Sequence, residues 1–265
     1  MTEKIPKLTP RLGLIADLIS NPPARSGGES ANMLPKGLDS SGAYSCVAVI
    51  GTDHAYLPVY LCKTGAAKRA IASDIRPGPI ERAKATITSY DAQNTVETRL
   101  GGGLSTIEPG EADAIVIAGM GGLMIAEILS ADILTVSGTK RLILQPMSSI
   151  PELRLYLCLN GFNILAEYLA KEERKLYVVM DVTYSPERRG SAIGDLDEYS
   201  PEIFLGRKLI EDRPEHFEEY IEKQKRSLLK MAYGLKNSSS DEFAGKLKRC
   251  GELIEYIEKN IERDL

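Results

Sequence analysis

Apolar positions in this chain follow two patterns. Between residues 46 and 184, short apolar runs alternate with amphipathic stretches; beyond residue 200 the spacing is helical. Cys46–Ile50, Arg69–Ser73, Val96–Leu100, Ala114–Ala118 and Arg141–Leu144 have the length and composition of buried parallel strands. Helices are predicted from Ala55 to Leu61, from Glu81 to Tyr90, from Gly122 through Leu129 and from Pro151 to Leu159. Phe162–Leu169 and Lys175–Tyr184 then read as two strands joined by the charged turn 171–174. Strands alternating with helices and closed by a hairpin predict a doubly wound α/β sheet with one antiparallel strand.

The ends of the chain differ from this middle. Thr9-Pro10 marks a helix start, with Thr9 as cap and Pro10 in the first turn, and Leu12, Ile15, Leu18 and Ile19 fall on one face. Residues 21–45 hold three prolines, four glycines and five serines, which predicts a long mobile loop. Residues 185–200 read as a polar linker. Ile203–Ile210 reads as a short helix, and His216–Leu235 with Glu242–Ile261 as an antiparallel helical hairpin. The expected units are 1–184, a linker at 185–200 and a helical region at 201–265.

Composition narrows the picture. A chain of 265 residues with 43% hydrophobic content can bury a sizeable core, and a net charge of −4 gives no general basic character. Cys46, Cys62, Cys158 and Cys250 form no CxxC pair and read as free thiols of a cytoplasmic protein. Neither a membrane span nor a metal site is expected.

The candidate chemistry centres on Gly51-Thr52-Asp53-His54-Ala55-Tyr56, a glycine turn between the first strand and a helix. Such a turn opens a nucleotide-binding unit whose ligand lies beyond the carboxyl ends of the strands. The dinucleotide fingerprint needs glycine at its first, third and sixth positions; here Asp53 and Tyr56 occupy the last two. A carboxylate at 53 repels pyrophosphate and suits a cationic cofactor such as S-adenosylmethionine. The competing reading makes Asp53 and His54 helix caps. Asp74, at the end of the second strand, suits ribose hydroxyls, or alternatively caps the next helix. Gly119-Met120-Gly121-Gly122 lets an acceptor approach backbone N–H groups, or is a plain turn. His54 could orient the acceptor, Tyr56 could stack on a base, and Arg11 could contact a ligand or simply be solvated.

Several strings together resemble the bacterial tRNA adenine-22 N1-methyltransferases: Leu8-Thr9-Pro10-Arg11-Leu12, Gly51 through Pro58, Arg99-Leu100-Gly101, Ala118 through Gly122, and Leu144-Gln145-Pro146. Leu153-Arg154 and Asn160-Gly161-Phe162 are also similar. The resemblance implies a class I methyltransferase fold with a seven-stranded Rossmann-like sheet, S-adenosyl-L-methionine as cofactor, tRNA as partner, and a coiled-coil-like tail that helps to hold it. Expected cofactor-binding residues are Arg11, Gly51, Thr52, Asp53, Asp74, Gly101, Gly102 and Gly119; expected catalytic residues are Asp53, His54, Tyr56 and Met120. A monomer is expected. The chain departs from the family pattern at Val49 and Gly102, which replace acids, and at Met147, which replaces Asn. Two functions therefore remain open: an active methyltransferase, or a tRNA- or partner-binding protein of the same fold. A nicotinamide oxidoreductase is disfavoured by the missing glycines.

Overall fold

Residues 4–21, 42–190, 196–235 and 241–261 are described in a computed structural model of the chain. Most of the predicted loop 21–45 therefore lies outside the described residues, as do 191–195 of the predicted linker and 236–240 between the last two helices. The order of elements is α1 (Pro10–Ser20), β1 (Tyr44–Ile50), α2 (Tyr56–Lys63), β2 (Ala67–Asp74), α3 (Pro77–Ser89), β3 (Val96–Leu100), β4 (Ala114–Met120), α4 (Gly122–Ala131), α5 (Ile133–Gly138), β5 (Arg141–Pro146), α6 (Ile150–Leu159), β6 (Phe162–Glu172) and β7 (Lys175–Tyr184). A 3-10 turn (Pro186–Arg188) and a π turn (Glu202–Gly206) lead to α7 (Arg207–Asp212), α8 (Phe217–Leu235) and α9 (Asp241–Asn260).

The seven strands form one sheet in the order β3-β2-β1-β4-β5-β7-β6. β7 runs antiparallel to both of its neighbours, β5 and β6, and the other strand pairs are parallel. Strand residues alternate between two apolar clusters, as a period of two requires. Val47, Val49, Val116 and Ile143 pack with Ile15 and Ile19 of α1 and Leu57 and Leu61 of α2. On the opposite face, Ala48, Ile50, Ile115, Ile117, Leu142 and Leu144 join Leu153 and Leu157 of α6. That cluster continues through Leu205, Leu209, Phe217 and Tyr220 to Cys250, Leu253, Ile257 and Ile261. The tail helices thus share the core of the sheet.

Some local expectations are corrected. Thr9 occupies the cap position of α1, but its side chain makes no capping bond; Pro10 alone marks the start. Helix α5 was not foreseen; Asp132 starts it by accepting from the Thr135 N–H at 3.1 Å. The single helix expected over Ile203–Ile210 is broken at Gly206, whose φ is +96°. Its α-carbon lies against a fully buried ion pair, Arg154 Nε to Glu167 Oε1 at 2.8 Å, and Arg154 also donates to the Ile203 and Phe204 carbonyls at 3.0 and 2.8 Å. The pair ties α6 and β6 to the first turn of the tail. Among the described residues, no helix is long and apolar enough to cross a membrane.

Candidate active site

The chain leaves β1 first towards β2 and β3 and later crosses to β4 on its other side. Between β1 and β4 the loops therefore diverge and open a crevice at the carboxyl ends of the strands. Gly51 turns there with φ +75°, and the N–H groups of Gly51 and Thr52 both donate to the Ser73 carbonyl, at 2.8 and 2.9 Å. A Cβ on Gly51 would run into the methyl of Met120. Glycine is required both by the backbone angle and by this approach.

Asp74 ends β2 and is buried. Its Oδ1 accepts from the Arg76 N–H at 2.8 Å. Arg76, not Asp74, holds the cap position of α3, so the capping alternative fails. The capping alternative for Asp53 and His54 fails too, because the cap of α2 is Ala55, in a left-handed conformation. Gly101 donates to the Asp74 carbonyl at 3.0 Å, and Asp74 is in register with Leu100. Beside this carboxylate, Ile75 and Leu100 are 70% and 58% exposed, an unusual placement for two large apolar side chains. A Cβ on Gly102 would meet only the flexible tip of Ile75, at 3.3 Å. A carboxylate for hydroxyl groups, bare backbone and two apolar flanks fit a nucleoside.

The third wall comes from β4 and β5. Strand β4 runs two residues beyond its expected end, with an irregularity in register between Ala118 and Met120, where Gly119 has φ +80°. Such a bulge re-aims the next side chain, and here Met120 is brought over Gly51. Gln145, fully buried at the end of β5, holds the bulge: its Oε1 accepts from the Gly119 N–H at 3.1 Å and from Arg11 Nη1 at 2.6 Å. Arg11 lies over the Tyr177 ring at 5.4 Å, and its Nε is 3.9 Å from Glu172. Arg11 thus braces the bulge from α1 through one of its guanidinium donors.

The carboxyl ends of β1 to β4 thus carry Gly51, Thr52, Asp74, Gly101, Gly102, Gly119 and Met120: Gly51 faces Met120, Gly101 bonds the Asp74 carbonyl, and Arg11 reaches Gly119 through Gln145. Asp53, His54 and Tyr56 stand further out. Asp53 is bound by the Arg82 guanidinium of α3, with Nε at 3.1 Å, and this partner holds its carboxyl below the usual carboxylate range. His54 lies 3.5 Å from Asp53 and stacks on Tyr56 with ring centroids 5.6 Å apart. The residues that sequence reasoning missed are Gln145, Arg82, Ile75 and Leu100. Gln145 and Leu100 stand in the strings Leu144-Gln145-Pro146 and Arg99-Leu100-Gly101 that carry the resemblance, but were given no role; Arg82 and Ile75 carried no signal. Of the three departures, Val49 is buried in the apolar cluster under α1, Gly102 faces open space apart from Ile75, and the Met147 sulfur accepts from Gln145 Nε2 at 3.5 Å.

Comparison with known proteins agrees with this geometry. A family model described as a methyltransferase domain matches residues 40–180. A tRNA (adenine(22)-N(1))-methyltransferase of Bacillus subtilis is 41% identical over 134 residues, which are 51% of this chain and 56% of that protein's length. The sequence match thus spans little more than half of the curated relative. The crystal structure of the B. subtilis m1A22 tRNA methyltransferase superposes with a TM-score of 0.74 at 28% identity, covering 96% of this chain and 98% of that one. A putative tRNA (m1A22) methyltransferase of Streptococcus pneumoniae, solved in complex with S-adenosyl-L-methionine, gives 0.72 at 26% identity over 94% of this chain and 100% of that one. With the model matching more than half of its length, the chain belongs to the methyltransferase-domain family.

Proposed function

We propose that this protein methylates N1 of an adenine in tRNA, the adenine at position 22 as in the B. subtilis relative, with S-adenosyl-L-methionine as donor. The observation that carries this reading is the crevice between Gly51, Asp74 and the Gly119 bulge: it combines a nucleoside-type cradle with a bare-backbone approach from the β4 side. Asp74 would hold the ribose hydroxyls, Ile75 and Leu100 would flank the base, and Gly51, Thr52 and Gly101 would line the amino-acid and sugar path. The bound donor supplies a methyl group on a sulfonium.

The chain's own task is alignment and exclusion of water. Adenine N1 has a lone pair, so no base is needed to remove a proton before attack. N1 lies on the pairing edge, so the nucleotide must be exposed or turned out of its helix. The Met120 side chain and the Gly121–Gly122 turn form the surface against which that base would rest. The product base is cationic, and the Asp53 carboxylate at the crevice is paired with Arg82 on its exposed side. We further propose residues 1–184 as the donor-binding unit and 201–265 as the RNA-contacting unit of a monomeric cytoplasmic enzyme.

The test is incubation with labelled S-adenosylmethionine and unmodified tRNA, followed by nucleoside analysis. The expected outcome is N1-methyladenosine at a single position. Absence of label in tRNA, or calorimetric binding of NAD rather than S-adenosylhomocysteine, would overturn the reading.

A further inference from the structure

A cleft of about 450 Å³ lies between the loop after β5 and the first long tail helix. Its inner wall, Met147–Ser149, is hydrogen-bonded to the Met120–Gly122 segment of the crevice just described. Met147 donates its N–H to the Met120 carbonyl at 2.8 Å, and the Gly122 N–H donates to the Ser148 carbonyl at 2.8 Å. Ser149 holds a left-handed conformation, φ +50°, rare for a residue with a side chain, and its carbonyl is pressed against Gly122. Strain of this kind is retained where a loop must be placed for function. The outer wall is α8, with Gln224, Ser227 and Met231 at helical spacing, and Tyr199 closes one side.

We propose that this cleft binds a second unpaired nucleoside of the RNA substrate, the one next to the methyl acceptor. The inference rests on the proposed tRNA methylation. Its volume is within the range of small-molecule sites. The walls join thioether and aromatic surface, suited to the face of a base, with amide and hydroxyl groups suited to its edge; Glu152 and Glu198 also line the cleft, where a carboxylate suits a base's exocyclic amino group but not a phosphate. Lys223 and Lys230 are exposed on α8 and flank Ser227 at four and three residues, where they meet the phosphates of a strand entering the cleft. A turned-out acceptor strains its neighbours out of their stack, and the cleft receives one of them. This commits α8 to substrate recognition as well as to packing.

The experiment combines a filled cleft with a missing base. Ser227→Trp occupies the cleft from an exposed helix position, and Gln224→Leu removes the edge contact while keeping helix propensity. Both are assayed with tRNA and with tRNAs carrying an abasic nucleotide on the 5′ or the 3′ side of the acceptor. For both variants the expected result is a KM for tRNA raised about tenfold, unchanged S-adenosylhomocysteine binding, and one abasic tRNA that loses a similar factor with the wild type but nothing further with Ser227→Trp. Wild-type KM in both variants, or losses that multiply independently, would overturn the cleft's role. Failure of the wild type to label any tRNA would instead overturn the methylation reading, and the cleft's occupant with it.

Discussion

Val49 and Gly102 are the two positions where the family resemblance leads one to expect an acid, and the structure separates their consequences. A side chain at Gly102 would meet only the Ile75 side chain, at 3.3 Å, whose exposed tip can give way, and the φ of Gly102 is not in the left-handed region. Gly102→Asp is expected to leave stability nearly unchanged and to tighten S-adenosylhomocysteine binding about tenfold by calorimetry. Val49 is 6% exposed among the apolar residues under α1. Val49→Asp buries a carboxylate there and should destabilise the protein by roughly 2–4 kcal/mol in chemical denaturation. Arg11 offers a third test. Arg11→Met removes a charged donor from buried Gln145 while the apolar stem remains, so turnover should fall about tenfold and cofactor affinity by less. Equal losses in both would place Arg11 in direct contact with the donor. The placement of the glycines and Asp74 at strand ends was legible in the sequence because each sits where a strand pattern stops. The partners of Arg11 and Asp53 were not legible, because Gln145 and Arg82 are 134 and 29 residues away.

Strands and helices were legible as elements because continuous apolar runs and amphipathic stretches have different periods; their ends were less so. Strand β4 outlasts its apolar run because the pairing of Met120 with Pro146 resumes after the bulge. The helix at 203–210 splits because Gly206 must pass over Arg154, a contact invisible to local periodicity. Gly122 shows how closely two elements can be joined: a Cβ there would collide with the Ser149 carbonyl and approach the Ser148 carbonyl at 2.9 Å. Gly122→Ala should therefore push α4 away from the β5 loop, lowering Tm and, more sharply, tRNA turnover. At the β3 end, the Arg99 fork, with the Glu108 N–H and Arg69, brings the Glu111 carboxyl down to about 2 from an ordinary 4.5. A depressed folded-state value means that this stabilisation is complete above about 4.5 and fades as pH falls towards about 2. Glu111→Gln should flatten the stability profile across that window.

Over the whole molecule, the charged tail is largely self-neutralised. Lys225 pairs with Glu258, Arg226 with Glu222, Lys248 with Glu252, and Arg249 with Asp197 at 2.6 Å. Among the described residues, these pairs leave no broad basic surface on the tail. Lys223→Glu and Lys230→Glu should each weaken tRNA binding and lower the slope of log affinity against log salt by about 1, with S-adenosylhomocysteine binding unaffected. The apolar cluster that runs from Ile115 through Leu205 and Tyr220 to Ile257 bears on how this protein can be rebuilt. A segment whose apolar seam is continuous with the core of the sheet is not a cassette. Grafted onto another methyltransferase, residues 201–261 would arrive without Leu153, Leu157, Arg154 and Glu167 to fold against. A change of RNA target by exchange of tails would therefore have to carry α6 and β6 along with the tail.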